Sequence, residues 1–181
     1  MYRGKFTIKP SDFINEITEF CKTAYNESGD KNFEVKSDGT SSLLKHIKQN
    51  TIPMITMVFK KDKIISLSGV QKYGAVCLLA KRFYTLKKYS KSSMGKPNNF
   101  FWDYMYSPQL QWAVNNNYKA VMITFNEDKK RLIPVLEREQ AKGRSFVSFI
   151  KHDKLLNINN TKQYVFYQKI NENFNISDLD V

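Results

Sequence analysis

The stretch from Lys87 to Trp102 is where the chain is richest in residues that can grip a ligand. Lys87-Lys88-Tyr89-Ser90-Lys91 sets ammonium groups beside a phenol, and Phe100-Phe101-Trp102 follows with three aromatic rings. Lysine contacts phosphate and aromatic rings stack on bases, so this pattern can hold single-stranded nucleic acid. It equally describes a surface loop leading into an aromatic helix base. No RNP, helix-turn-helix or KH signature accompanies it. The other chemically versatile residues stand apart. His46 and His152 have no Ser, Cys or carboxylate at a spacing that makes a catalytic dyad. Cys21 and Cys77 each sit in an apolar pattern without a CxxC or a partner His. They read as buried free thiols of a reducing compartment, and a zinc site is not expected.

Composition narrows the classes further. With 41% apolar and 25% charged residues in 181, the chain has the makeup of one globular domain. Its 13 Phe and 10 Tyr favour strands, so a substantial sheet is expected. The net charge of +12 favours anionic partners without choosing among nucleic acid, lipid and a phosphorylated cofactor. No apolar run is long enough to cross a membrane, and no signal-peptide core follows Met1, so no membrane partner is expected and a cytoplasmic location is.

The elements that must position these residues follow from periodicity. Lys5–Lys9 alternates as a short strand. Ser11 is an expected cap for a helix carrying Phe13, Ile14, Ile17, Phe20, Cys21 and Ala24 and ending near Asn26. Glu27–Gly39 reads mainly as loop, and Thr40 or Ser41 caps a short second helix with Leu43, Leu44 and Ile47. Met54–Phe59 and Ile64–Tyr73 form a hairpin about Lys60-Lys61-Asp62-Lys63, and Ala75–Leu86 gives a long third strand. Ser107-Pro108 starts a helix that stops at Asn115-Asn116-Asn117. Ala120–Phe125 is a continuous apolar run, the pattern of a central strand covered on both faces. Asn126 is an expected cap of a helix in which Pro134 predicts a kink or split. Ser145–Ile150 and Tyr164–Ile170 are expected strands with a polar connector between them, and residues 171–181 an acidic, flexible tail. One domain spanning 1–181 fits this order.

Over nearly its whole length this order resembles the GNAT (Gcn5-related N-acetyltransferase) superfamily. The residues that carry the resemblance are Val121-Met122-Ile123-Thr124-Phe125-Asn126 with the helix after them, and the hairpin Met54–Tyr73 ending near Gly69. Arg82-Phe83-Tyr84-Thr85-Leu86, with Phe101-Trp102-Asp103-Tyr104-Met105, also looks like GNAT-like proteins encoded by bacteriophages, which would place the chain in a host cell's cytoplasm. The resemblance implies an α/β (α+β) fold with a mixed, mostly antiparallel central sheet and helices on both faces. It implies acetyl-CoA as cofactor and an amine as acceptor. In this plan the fourth and fifth strands part, and an extended pantetheine arm pairs with their freed main chain as an added strand would. By position, Phe83, Tyr84, Thr85 and Leu86 would meet the arm from one side, and Phe125 and Asn126 from the other. The family's phosphate loop, R/Q-x-x-G-x-G/A before a helix, has no match; Lys91, Ser92, Ser93, Gly95 and Lys96 are the nearest material. Acyl transfer needs a base or water path for the amine and an acid for the leaving thiolate. Tyr84 and Tyr104 are the candidate acids, each equally readable as a packed aromatic. Asp103 is a candidate base or a turn cap. The alternative is a GNAT-shaped binding protein without catalysis, contacting nucleic acid or a host protein through its basic surface.

Overall fold

A computed structural model of the chain describes residues 2–89, 105–143, 146 and 148–179. These hold eight strands and four α-helices. In chain order they are β1 (Tyr2–Thr7), α1 (Ile14–Ser28), α2 (Ser42–Lys48), β2 (Met54–Lys60), β3 (Lys63–Tyr73) and β4 (Val76–Thr85), then α3 (Ser107–Asn115), β5 (Ala120–Asn126), α4 (Leu132–Ala141), β6 (Ile150–Lys151), β7 (Leu156–Ile158) and β8 (Thr161–Lys169). The strands make one mixed, mostly antiparallel sheet in the order β1-β2-β3-β4-β5-β8-β6, with β7 beside β8. The folded chain divides into two compact units. The first joins Met1–Lys72 to Leu79–Trp112, and the second joins Tyr73–Leu78 to Ala113–Val181.

In the first unit, α1 buries Ile17, Phe20, Cys21 and Ala24 at helical spacing. Burial of each large apolar side chain contributes about 1.5–3 kcal/mol. Their partners include Ile55, Met57 and Leu67 of the β2–β3 hairpin and Leu43, Leu44 and Ile47 of α2. Ser41, of the two expected caps, starts α2: its Oγ accepts from the Leu44 N–H at 3.2 Å. Ser11 does not cap α1. It lies inside a 3-10 turn, Pro10–Phe13, and the α-helix begins only at Ile14. The helix also runs past Asn26 to Ser28, where Gly29 takes φ 68° and its N–H closes on the Tyr25 carbonyl at 2.7 Å. At Gly69 the backbone passes so close to Ile52 that a Cβ there would lie 2.7 Å from Ile52 Cγ2.

In the second unit, β5 lies between the start of β4 and β8. It pairs in parallel with Val76–Leu78 and antiparallel with β8 over seven positions, from Ala120↔Lys169 to Asn126↔Gln163. Val76, Leu78, Ala120, Met122 and Val165 share one cluster. The expected polar connector before β8 is instead a hairpin. Asn159 and Asn160 take φ 53° and 63° between the paired Ile158 and Thr161, the two left-handed positions a tight two-residue turn demands. Of the expected strand Ser145–Ile150, Ser145 and Val147 lie outside the described residues, Phe146, Ser148 and Phe149 are not in a strand, and Ile150 begins the short strand Ile150–Lys151. Pro134 causes no kink, because α4 starts at Leu132 and places it in the first turn, where an amide N–H has no helical partner to lose. The acidic tail is folded as far as 179: Phe174 and Ile176 are 6% and 8% exposed and join the β5 cluster. Among the described residues no helix is long and apolar enough to cross a membrane.

Candidate functional site

The parallel ladder from β4 to β5 runs only from Val76↔Ala120 to Leu78↔Met122. Past Leu78, β4 passes into the first unit, and its backbone is irregular there. Ala80 and Arg82 take φ 54° and 53°, the left-handed region that costs a side-chain-bearing residue about 1–3 kcal/mol and clusters at functional sites. The Ala80 N–H is satisfied by a side chain: it donates to Gln109 Oε1 at 2.8 Å. Gln109, 1% exposed, donates in turn through Nε2 to Thr56 Oγ1 and Ser68 Oγ, each at 3.0 Å. This buried amide ties α3 to β2, β3 and the irregular part of β4, and it holds the strained backbone in place.

The candidate residues of β4 diverge in what they touch. Tyr84 packs against Phe20 and Phe33, with ring centroids 6.4 and 5.7 Å away. Its hydroxyl donates to Glu27 Oε2 at 3.1 Å, and the Lys87 N–H donates to the same oxygen at 2.9 Å. Burial, the hydrogen bond to Glu27 and the charges of Glu27 and Asp30 push its phenol up to about 12. The proton of Tyr84 is therefore aimed at the Glu27 carboxylate. Thr85 Oγ1 is 2.8 Å from Ser66 Oγ, whose neighbours also include the Tyr84 carbonyl at 3.3 Å and Met105 Sδ at 3.4 Å. Leu86 packs on the α1 cluster, and its N–H goes to the Ile65 carbonyl at 2.9 Å. Phe83 is half-buried. Two positions before Tyr84, Arg82 has a buried Nε without a hydrogen-bond partner among the described residues. Burial lowers its ordinary value, and the charge of Asp30 opposes that shift.

In the second unit, Phe125 lies opposite Tyr164 in the β5–β8 ladder and meets the Phe166 ring edge-on at 6.2 Å. Asn126 is exposed and paired in register with Gln163. It precedes a 3-10 turn, Glu127–Lys129, and its side chain makes no capping bond, so the expected cap is not formed. Lys91, Ser92, Ser93, Gly95, Lys96, Asp103 and Tyr104 lie outside the described residues. His46 Nδ1 meets Thr51 Oγ1 at 2.6 Å, and His152 Nδ1 lies 3.6 Å from Asp153 Oδ1. Neither cysteine is in a disulfide, both are buried, and burial pushes the Cys21 thiol up to about 12.

Glu27 and Gln109 escape a reading of the sequence. Glu27 does continue the α1 stripe, seven residues after Phe20 and three after Ala24, a signal hidden by ending the helix at Asn26. Gln109 stands in the first turn of α3, where nothing local marks it as a partner for strands 29 to 53 residues away.

No protein-family model and no curated protein matches the sequence. Solved structures do. An acetyltransferase from Streptococcus agalactiae aligns with TM-score 0.58 at 12% identity, covering 93% of this chain and 98% of its own. The PaiA N-acetyltransferase of Thermoplasma acidophilum, in complex with coenzyme A, aligns at 0.53 with 10% identity over 92% and 99%. The ribosomal-protein-S18-alanine N-acetyltransferase of Escherichia coli aligns at 0.53 with 8% identity over 96% and 100%. At these identities the likeness is one of architecture, and this chain has the fold of the GNAT acetyltransferases.

Proposed function

We propose that the chain is an acyl-CoA-dependent N-acyltransferase that moves an acetyl group from acetyl-CoA to an amine. The observation that carries this reading is the early end of the β4 ladder at Leu78, followed by strained strand backbone at Ala80 and Arg82, in a fold shared with acetyltransferases. A strand that loses its neighbour this way keeps main-chain groups for an extended ligand. Acetyl-CoA supplies a thioester whose carbonyl an amine attacks, with the C–N bond forming as the C–S bond breaks. Main-chain groups of β4 after Leu78 would hold the arm, with Phe83 and Thr85 beside it. Glu27 is proposed as the base that takes the amine proton, directly or through water. Tyr84 would orient that carboxylate and keep one of its oxygens occupied, a positioning role in place of the acid expected from sequence. Tyr104 would be the acid for the leaving thiolate, and Lys91, Ser92, Ser93, Gly95 and Lys96 would stand as the nearest material for phosphate contacts.

A second reading has its own observation. Lys91–Lys96 contains a single glycine where the family's phosphate loop has two conserved positions for small residues, so a binding protein without catalysis remains the alternative. Thermal unfolding with and without acetyl-CoA separates the two. A cofactor at 100 times its dissociation constant stabilises the fold by about 2.7 kcal/mol. A rise in melting temperature with acetyl-CoA supports the transferase, and an unchanged melting temperature at millimolar acetyl-CoA selects the binding protein.

A further inference from the structure

A groove of about 800 Å³ opens in the first unit between α1 and the tip of the β2–β3 hairpin. That volume suits a small organic ligand. Of the residues invoked for acyl transfer, Leu86 alone lines it. Its two walls carry opposite charge. Lys60, Lys61, Lys63 and Lys88 line one wall with Asp62 among them, and none of the four lysines forms an ion pair with a described residue. Asn15, Glu16, Glu19 and Thr23 of α1 line the other, with Glu16 three and Asn15 and Thr23 four residues from Glu19. Glu19 also holds Lys22 at 3.1 Å, while Glu16 has no such pair with a described residue. Phe20, Ile65 and Leu86 give the groove apolar surface. At its basic rim the Lys60 ammonium sits 5.2 Å from the centre of the Tyr89 ring and 5.7 Å from that of Tyr2, and the two rings meet edge-on at 6.3 Å.

The two walls exclude simple ligands. An inorganic anion drawn to the lysines would meet Glu16 and Glu19, and a simple cation drawn to the carboxylates would meet four ammoniums. The occupant must present negative charge at one end, hydrogen-bond donors at the other and a flat apolar body between. A nucleotide has this form: phosphate, exocyclic base amines and a ring. Lysine ammoniums contact phosphate. Carboxylates accept from the exocyclic amine of cytosine. Bases stack on aromatic side chains such as Tyr89. We propose that the groove binds a nucleotide unit, with its phosphate on Lys60, Lys63 and Lys88 and its base edge toward Glu16 and Glu19.

The unit can come from single-stranded nucleic acid or from a free nucleotide. Fluorescence anisotropy of the full chain with labelled twelve-residue oligo-dC and oligo-dT, and titration with CTP and TTP, cover both sources. Cytosine has the exocyclic amine that thymine lacks, so the dC strand or CTP should bind more tightly than its thymine counterpart. Replacing Glu16 and Glu19 with Gln should reduce that preference. Affinity for the strand should fall with salt, with a logarithmic slope of about −0.7 per phosphate contacted. The double variant K60A/K88A should lose at least about tenfold in affinity, which is roughly 1.4 kcal/mol. Its melting-temperature response to acetyl-CoA should equal that of the parent chain. Binding by the strand alone assigns the groove to nucleic acid, and binding by CTP alone assigns it to a free nucleotide. Absence of binding by every one of these probes at low salt, affinity unaltered in K60A/K88A, or a matching loss of the acetyl-CoA response in that variant would overturn the proposal.

Discussion

The Tyr84 hydroxyl donates to Glu27 Oε2 at 3.1 Å, joining β4 to the last turn of α1 through the oxygen that also receives the Lys87 N–H at 2.9 Å. Two donors on one oxygen fix the carboxylate and leave its other oxygen for a proton from elsewhere. E27Q keeps the size and an acceptor but removes the basic site. It should leave the melting temperature near that of the parent and lower kcat by about 10²–10⁴, the usual contribution of a positioned base. Y84F should give a smaller fall in kcat and shift its pH profile, because Glu27 remains while its orientation is loosened. Steady-state kinetics over a panel of amines reads both.

The same pair makes stability depend on pH in the alkaline range. The phenol of Tyr84 titrates near 12 in the fold against about 10 in the unfolded chain. Between those values the folded state holds a proton that the unfolded state has released, so stability is fully present below about pH 10 and falls as pH rises toward 12. Urea denaturation at pH 8 and at pH 11 should show a larger loss for the parent than for Y84F. Equal losses would assign the alkaline sensitivity to other tyrosines.

Gly69 marks a close approach in the first unit. A methyl group there would stand 2.7 Å from Cγ2 of the fully buried Ile52. G69A should cost about 1–3 kcal/mol, the range for overpacking a filled core. Adding Ile52→Leu moves the branch away from that contact and should return part of the loss. Denaturant midpoints of the parent, the single variants and the double variant check this.

Much of this framework is readable from sequence because it repeats. The Met54–Phe59 and Ile64–Tyr73 strands about their polar Lys60–Lys63 turn, the apolar run Ala120–Phe125 and the Ser107-Pro108 start each have a local pattern or a local breaker, and each element forms near its expected bounds. The site is less readable because its parts meet over long sequence separations. Glu27 meets Tyr84 across 57 residues, and Gln109 meets Thr56 across 53. No periodicity encodes such a meeting. The Asn159-Asn160 turn is local, yet it is missed because asparagine pairs also occur in open loops and the strand before it is only three residues long.

Gln109 tests how the irregular strand is held. Removing its side chain leaves the Ala80 N–H without its acceptor and takes a buried donor from Thr56 and Ser68. Q109A should destabilise the chain by about 1–3 kcal/mol through unsatisfied polar groups, with a further contribution from the cavity. Amide exchange by NMR should show Ala80 among the residues whose protection drops most. Protection at Ala80 unchanged in Q109A would mean that another group holds that strand.

The central claim is that main-chain groups of β4 beyond Leu78 receive the acyl-CoA arm. Hydrogen exchange read by mass spectrometry on peptides spanning Leu79–Leu86, with and without saturating acetyl-CoA, tests it most directly. Slower exchange in that segment, with little change in β1 or β2, is the predicted result. Unchanged exchange there in the presence of millimolar acetyl-CoA would contradict it.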